Sequence, residues 1–182
     1  MKIYQVPEIP GIRITEAKPV TDSRGTFIKF HPSRDLASSL GSVALSINPY
    51  PGTVRGLHFQ VEPFAEEKLI TCIQGSIFDV AVDLRPKSNT FGMWATFELT
   101  AANALQVYLP KGIAHGFQTL VADSIIHYSL SSTYAPEYSY AINPFGDLGI
   151  KWPIEVHTVS ERDAGGISLV EAGQKYAESL KS

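Results

Sequence analysis

Hydrophobic residues along this chain occur in short runs rich in β-branched and aromatic side chains, a pattern typical of β-strands. Turn-forming Gly, Pro, Asn and Asp residues separate the runs, for example in segments 22–25, 49–52, 85–89 and 110–112. Many short strands with such turns between them predict a β-sandwich or β-barrel. The predicted strands are 12–14, 69–73, 77–84, 94–99, 105–109 and 124–129.

Helical patterns are few and short. Residues 33–40 form one candidate helix, which Ser33 or Asp35 could cap and which Gly41 would end. The second candidate spans 170–180, where Ala172, Tyr176 and Leu180 recur every four residues. The chain shows no internal repeat, low-complexity tract or linker, so we expect one all-β domain over residues 1–182 with short peripheral helices.

Composition narrows the class of protein. The 182 residues are 44% hydrophobic and 18% charged, with a net charge of −3. A nucleic-acid partner would favour a basic surplus, so none is expected. No apolar run approaches a membrane span, and the N-terminus lacks a signal-peptide core. Cys72 is the single cysteine, which excludes an internal disulfide. We therefore expect a soluble, cytoplasmic protein.

Two of the five histidines lie in turn-rich segments, 55–60 and 110–117. Arg55 precedes His58 by three residues and Lys68 follows it by ten, and cations near a histidine favour an anion-binding pocket over a core. A His-x-His pair, which would suit a metal, is broken at Gln60. The remaining histidine and glutamate candidates make a weak transition-metal site, so no metal is predicted.

Other common catalytic chemistries lack a matching motif. Cys72 lies within the apolar run 69–73 and is predicted to pack as a small hydrophobic residue. The chain has no Gly-x-Ser-x-Gly elbow, no Gly-x-Gly-x-x-Gly fingerprint and no P-loop. Dinucleotide oxidoreduction and P-loop phosphoryl transfer are therefore not expected.

Eight motifs together resemble one family in order and spacing, across residues 5–170. The family is that of the dTDP-4-dehydrorhamnose 3,5-epimerases, and the resemblance implies a cupin-type β-barrel (jelly roll), a homodimer and a reaction without metal or other cofactor. The motifs are Asp22-x-Arg24-Gly25-x-Phe27, Gly52-x-x-Arg55-Gly56-Leu57-His58-Phe59-Gln60, Lys68 with Gly75, 79–88, 110–117, Tyr128 with Tyr134, 149–153, and 160–163.

The resemblance implies how a nucleotide-diphosphate sugar would react. A C4 ketone acidifies the protons on C3 and C5, so inversion needs a base, stabilisation of the enolate and an acid on the opposite face. His58 would be the base and Asp163 its orienting partner. Lys68 would stabilise charge on the C4 oxygen, and Tyr128 would be the acid.

Further positions would bind the substrate. Arg55 and His115 would contact phosphate or sugar oxygens, and Arg24 would add a contact, conceivably across the dimer. The full predicted binding set is Arg24, Phe27, Lys29, Asn48, Arg55, Gln60, His115, Tyr134 and Arg162.

The chain departs from the family pattern at four positions. Lys29 stands where a glutamate is usual, Ser46 where a glutamine is usual, Ser139 near a common glutamate, and Arg162 where a lysine is usual. A glutamate-to-lysine exchange reverses the charge beside a ligand. These departures predict altered nucleotide recognition and leave open a substrate other than dTDP-4-keto-6-deoxyglucose.

Three alternatives stand beside the leading interpretation, an epimerase that inverts C3, C5 or both. One is a single-centre epimerase acting on another nucleotide sugar, such as a CDP-linked one. Another is a non-catalytic cupin that binds a sugar nucleotide, although such a protein would need no opposed base and acid. The last is a metal-dependent cupin enzyme.

Overall fold

The computed structural model describes residues 2–30 and 41–181. The predicted helix at 33–40 lies outside the described residues. The described strands are β1 Lys2–Gln5, β2 Arg13–Glu16, β3 Val20–Asp22, β4 Gly25–Phe27, β5 Ser42–Asn48, β6 Val54–Gln60, β7 Lys68–Gln74, β8 Ser76–Asp83, β9 Trp94–Thr100, β10 Leu105–Leu109, β11 Ile113–Thr119, β12 Ser124–Leu130 and β13 Ser139–Ala141. The helices are a 3-10 turn at Pro136–Tyr138, α1 Glu161–Ala164 and α2 Leu169–Ser179.

The strands form two large antiparallel sheets and one hairpin. The six-stranded sheet has the order β1-β2-β10-β7-β12-β5, and the five-stranded sheet has the order β13-β6-β11-β8-β9. Strands β3 and β4 pair only with each other. Sequence neighbours such as β6 and β7 lie in different sheets, as the Greek-key connections of a jelly roll require. The predicted all-β, cupin-type barrel is confirmed.

The main core lies between the two sheets. Inward-facing residues of β7 and β12 meet those of β8 and β11, because side chains alternate between the faces of a strand. The buried members include Ile70, Cys72, Ile77, Phe117 and Ile126. Cys72 is buried as predicted, and burial raises the pKa of its thiol to about 11, so it stays protonated and packs as an apolar group.

Helix α2 covers the outer face of the five-stranded sheet. Ala172 and Tyr176 pack there against Leu57, Val80 and Val82, which confirms the predicted helix and two members of its apolar stripe. The third member, Leu180, lies just beyond the helix and is exposed. Within the described part of the chain, no helix is long and apolar enough to span a membrane.

Two segments expected to be rich in turns are strands instead. Residues 54–60 form β6 and residues 113–119 form β11, which is buried along its whole length between β6 and β8. Both segments contain glycine and histidine, which are not typical of strands, so the sequence did not indicate a strand in either. These two strands carry Arg55, His58, Gln60 and His115 of the candidate site.

Candidate active site

Four predicted site residues converge from the two sheets on one cavity. His58 on β6 and His115 on β11 are register partners on adjacent strands. Lys68 is the first residue of β7, and Tyr128 lies two residues before the end of β12, so they face the histidines from the other sheet. All four line a cavity of about 240 Å³, the inner cavity.

Close contact between β6 and β11 depends on two glycines. Gly56 has a φ of +106°, and a Cβ placed there would lie 2.6 Å from the Cα of Gly116. Such a conformation and such an approach suit glycine and strain other residues. The backbone N–H of Gly56 donates to Oδ2 of Asp163 at 2.9 Å. The segment Arg55–His58 is therefore part of β6, and its Gly56 also holds the carboxylate of Asp163.

His58 and Asp163 form a hydrogen-bonded pair. Nε2 of His58 lies 2.7 Å from Oδ1 of Asp163, and the histidine side chain is 39% exposed while the carboxylate is 5% exposed. Burial alone would raise the pKa of Asp163, but the hydrogen bonds from His58 and Gly56 outweigh it and lower the pKa. An ionised carboxylate at Nε2 leaves Nδ1 as the ring nitrogen that can accept a proton.

Helix α1 places Asp163 beneath the histidine. Ser160 caps this helix, and its hydroxyl accepts from the backbone N–H of Asp163 at 3.1 Å. The side chain of Asp163 turns inward and is buried, whereas its neighbour Arg162 is exposed. Consecutive residues of one helical turn thus place a carboxylate behind His58 and a cation at the edge of the inner cavity.

His115 also has a carboxylate partner. Its Nε2 lies 2.6 Å from Oδ1 of Asp79, and both side chains are buried. The other carboxylate oxygen, Oδ2 of Asp79, has no hydrogen-bond partner among the described residues. The ring of His115 lies edge-on to Tyr128, with 5.9 Å between centroids. His115 therefore lies deep in the inner cavity, where it suits a sugar oxygen better than a phosphate.

Lys68 faces the inner cavity, as predicted from the apolar run that follows it. Its side chain is 8% exposed, and Nζ lies 3.2 Å from Oε1 of Glu66. Nζ also donates to the backbone carbonyl of His58 at 3.3 Å. The ammonium of Lys68 is therefore held in a fixed position beside His58, where it shares its charge with the Glu66 carboxylate.

Tyr128 lies across the inner cavity from His58, on the opposing sheet. Its hydroxyl makes no hydrogen bond to the described residues, so it is free to donate to a ligand. Burial, with a smaller contribution from the negative charge of Asp79, raises the pKa of Tyr128 above its ordinary value. The phenol therefore remains protonated at neutral pH.

A second cavity adjoins the first. This outer cavity has a volume of about 390 Å³ and is lined by Thr53, Thr158, Ser160 and Asp163, among others. Arg55, His58 and Arg162 line both cavities. Together the two cavities form one cleft. Of the cations that the sequence predicts at the site, Arg55, Lys68 and Arg162 line this cleft.

Asn48 lies behind Arg55. It is fully buried and lines neither cavity, and its Oδ1 accepts from Nε of Arg55 at 2.8 Å. Its Nδ2 donates to the carbonyls of Ser46 and Ser124, both at 3.1 Å. A direct contact between Asn48 and substrate, as the sequence predicted, therefore has no support in this geometry.

Arg162 and Tyr134 form the rim of the inner cavity. NH1 of Arg162 donates to the Tyr134 hydroxyl at 3.2 Å, and NH2 donates to the Ser139 hydroxyl at 2.9 Å. Gln60 lines the same cavity, but its amide is engaged by backbone groups of Phe64, Thr133 and Ala135. Gln60 thereby holds the loop that carries Tyr134.

Arg24, Phe27 and Lys29 line neither cavity. Arg24 is exposed on the β3–β4 hairpin, where its guanidinium binds the carboxylate of Asp22. Phe27 is 68% exposed on the same hairpin. The structure thus does not bring these three predicted binding residues to the site of their own chain.

Two carboxylates of the site received no role from the sequence. Asp79 is the first residue of the family motif 79–88, but the sequence suggested no function for it. Its position in the sequence could have indicated a buried carboxylate, because Asp79 lies between Ile77 and Ala81 on the inward-facing side of β8. Glu66, one of the glutamates that the sequence offers as a metal ligand, pairs instead with Lys68. In residues 2–30 and 41–181, no group of three or more His, Cys, Asp or Glu side chains is arranged to hold a metal ion.

Comparison with known proteins matches this site to a family. The family model described as dTDP-4-dehydrorhamnose 3,5-epimerase matches residues 7–171. The chain belongs to the dTDP-4-dehydrorhamnose 3,5-epimerase family. It is therefore an isomerase of the epimerase class, and the resemblance seen in the sequence is confirmed.

Individual members of the family are similar over almost the whole chain. A dTDP-4-dehydrorhamnose 3,5-epimerase of Sinorhizobium fredii is 38% identical, covering 92% of this chain and 90% of the relative. A dTDP-4-dehydrorhamnose 3-epimerase of Streptomyces niveus is 34% identical, covering 90% and 82%. The structure of a dTDP-6-deoxy-D-glucose-3,5-epimerase from Legionella pneumophila, in complex with dTDP-4-keto-L-rhamnose, is similar with a TM-score of 0.85, 32% identity and 93% coverage of both chains.

Proposed function

We propose that this epimerase inverts both C3 and C5 of dTDP-4-keto-6-deoxyglucose through an enolate. The observation that supports the proposal most strongly is the placement of His58 and Tyr128. They face one cavity from opposite sheets. His58 has a carboxylate partner in Asp163, and the raised pKa of Tyr128 keeps its hydroxyl protonated. A base and an acid on opposite faces of a sugar ring are what inversion requires.

The first step is removal of a proton. Nδ1 of His58 takes the proton from C5 or C3, and the C–H electron pair forms the enolate with the C4 ketone. Asp163 stabilises the resulting imidazolium through the 2.7 Å contact. The charge that develops on the C4 oxygen is stabilised by Lys68, whose fixed position avoids reorganisation during the reaction.

The second step delivers a proton to the other face. Tyr128 donates its hydroxyl proton to the carbanion centre, which restores the ketone with inverted configuration. Its raised pKa keeps the proton available at neutral pH. His115, aligned by Asp79, is placed to bind a sugar hydroxyl next to that face.

A homodimer accounts for the binding residues that lie away from the cleft. Arg24 and Phe27 are exposed on their hairpin, and a second copy of the chain could receive them. Strand β5, at one edge of the six-stranded sheet, also exposes an apolar row on the outer face, namely Val43, Leu45 and Ile47, each between 56% and 64% exposed. Such a patch favours association. The cytoplasmic location stays a prediction from the sequence.

Inversion at one centre is the second candidate. The Streptomyces niveus relative is named as a 3-epimerase, and a single-centre enzyme can use the same base and acid. The two activities differ in how the sugar turns within the cavity, so the distinction rests on analysis of the product at C3 and C5.

The nucleotide can be tested by thermal shift. Of the four departures from the family, Ser139 and Arg162 line the inner cavity, whereas Lys29 and Ser46 line neither cavity. Support for dTDP comes from the relatives, which are named for dTDP sugars. A ligand that binds the native state raises its stability according to concentration and affinity. We expect dTDP to raise the Tm more than UDP, CDP or GDP at equal concentration. A larger shift with another nucleotide would refute the dTDP assignment and leave the epimerase chemistry standing.

A further inference from the structure

Four arginines in the described part of the chain fall into two groups by their hydrogen-bond partners. Arg24 and Arg85, outside the cleft, each donate from Nε and NH2 to a carboxylate, Asp22 and Asp83 respectively. Arg55 and Arg162, inside the cleft, donate only to neutral oxygen atoms among the described residues. A guanidinium paired with a carboxylate has its charge largely compensated, whereas one paired with an amide or hydroxyl keeps it.

Asn48 is the neutral partner of Arg55, and its orientation is fixed. Nδ2 is committed to the carbonyls of Ser46 and Ser124, which turns Oδ1 toward Arg55. The Ser46 hydroxyl donates to the same Oδ1 at 3.2 Å. A flipped amide would set its oxygen against two carbonyls, so this orientation is the stable one.

This contact determines which edge of Arg55 faces a ligand. A guanidinium has five N–H donors in a rigid fork. Asn48 occupies the Nε donor and leaves the four N–H groups of NH1 and NH2 without a hydrogen-bond partner among the described residues. Two parallel donors with an uncompensated charge match a phosphate group in the bidentate arrangement.

We propose that Asn48 is a positioning residue that orients Arg55 for the diphosphate of the substrate without neutralising it. The proposal rests on the proposed function for the identity of the anion. It differs from the prediction of direct substrate contact, because Asn48 would never touch the ligand. An aspartate at this position would cancel the charge of Arg55 and would also set its second oxygen against the carbonyls of Ser46 and Ser124.

A double-mutant cycle tests the proposal, with binding measured by calorimetry for dTDP, inorganic pyrophosphate and thymidine. We expect N48A to weaken dTDP and pyrophosphate about tenfold and to leave thymidine unchanged. The same substitution in an R55A background should add nothing, since interacting residues are non-additive when one acts through the other. N48D should weaken both anions more than N48A does.

Two controls keep the result interpretable. N103A removes another asparagine whose amide bonds to backbone groups, and it should leave all three ligands unaffected. If N48A does not fold, S46A tests the same orientation of Asn48 and Arg55. We expect S46A to weaken the binding of dTDP and pyrophosphate less than N48A would, and to leave thymidine binding unchanged. Additive effects of N48A and R55A, or equal losses for thymidine, would overturn the proposal. Failure of wild type to bind dTDP while it binds pyrophosphate would instead refute only the nucleotide assignment.

Discussion

At the scale of single residues, the site consists of side chains in pairs. Asp163 orients His58, Asp79 orients His115, and Glu66 holds Lys68. The first pair joins positions 105 residues apart, and only the family resemblance connected them in the sequence. The Asp79–His115 pair escaped sequence reasoning because it depends on β8 and β11 becoming neighbours. Glu66 and Lys68 are only two residues apart, but the sequence did not show that both side chains are buried.

Asp163→Asn tests the first pair. The amide keeps the shape but removes the charge that stabilises the imidazolium, so kcat should fall about 10²–10⁴-fold. The affinity for dTDP should change little, because Asp163 contacts His58 and Gly56 and not the arginines of the cleft. Steady-state kinetics and calorimetry measure the two effects. Asp147→Asn, at an exposed position, is the control and should match wild type. A D163N enzyme with normal kcat would contradict the role of Asp163 in stabilising the imidazolium of His58.

At the scale of elements, the sequence predicted six of the strands and one helix. It missed β6 and β11 as strands because glycine and histidine are poor indicators of a strand. Gly56 and Gly116 are there for the close approach of two backbones. Such an approach is a property of paired strands, and no local pattern encodes it.

The turn after β8 provides a prediction about stability. Asp83 accepts hydrogen bonds from Arg85, Ser88 and Thr90. Burial raises the pKa of Asp83, but these bonds, chiefly that from Arg85, outweigh it and lower the pKa. A carboxyl with a lowered pKa in the folded state stabilises the protein above its unfolded pKa of about 3.9. That stabilisation is lost as the pH falls through the folded value.

Asp83→Asn should therefore lower the free energy of unfolding by about 2–4 kcal/mol at pH 7. Urea denaturation of wild type and variant at several pH values measures the difference. The gap should narrow below about pH 4, where Asp83 of the unfolded wild-type chain becomes protonated while that of the folded protein is still ionised. A gap that is constant from pH 7 to pH 3 would show that the lost hydrogen bonds do not depend on the charge of Asp83.

At the scale of the whole molecule, the class of fold followed from the sequence, but the full extent of the binding site did not. Arg55 and Lys68 meet in the cleft as expected, whereas Arg24 lies apart on its hairpin. A sequence pattern indicates which residues belong to a family's site, and it does not show whether the fold of one chain brings them together.

The homodimer can be tested at the apolar row of the six-stranded sheet. Ile47→Asp places a charge on the edge strand β5, where the isoleucine is 64% exposed. Burying an unpaired carboxylate is costly, so we expect a dimer for wild type and a monomer for the variant by analytical ultracentrifugation. Val170→Asp changes an equally exposed residue on α2 and should remain dimeric. A dimeric I47D would place the interface elsewhere.

The central claim is that one base and one acid act on both carbons next to the C4 ketone. Incubation with dTDP-4-keto-6-deoxyglucose in deuterium oxide, followed by NMR of the recovered sugar, tests it most directly. We predict deuterium at both C3 and C5 with wild type and none above background with His58→Ala. His127→Ala, a histidine on the other face of β12, should behave as wild type. Exchange at neither carbon with wild type would contradict the account.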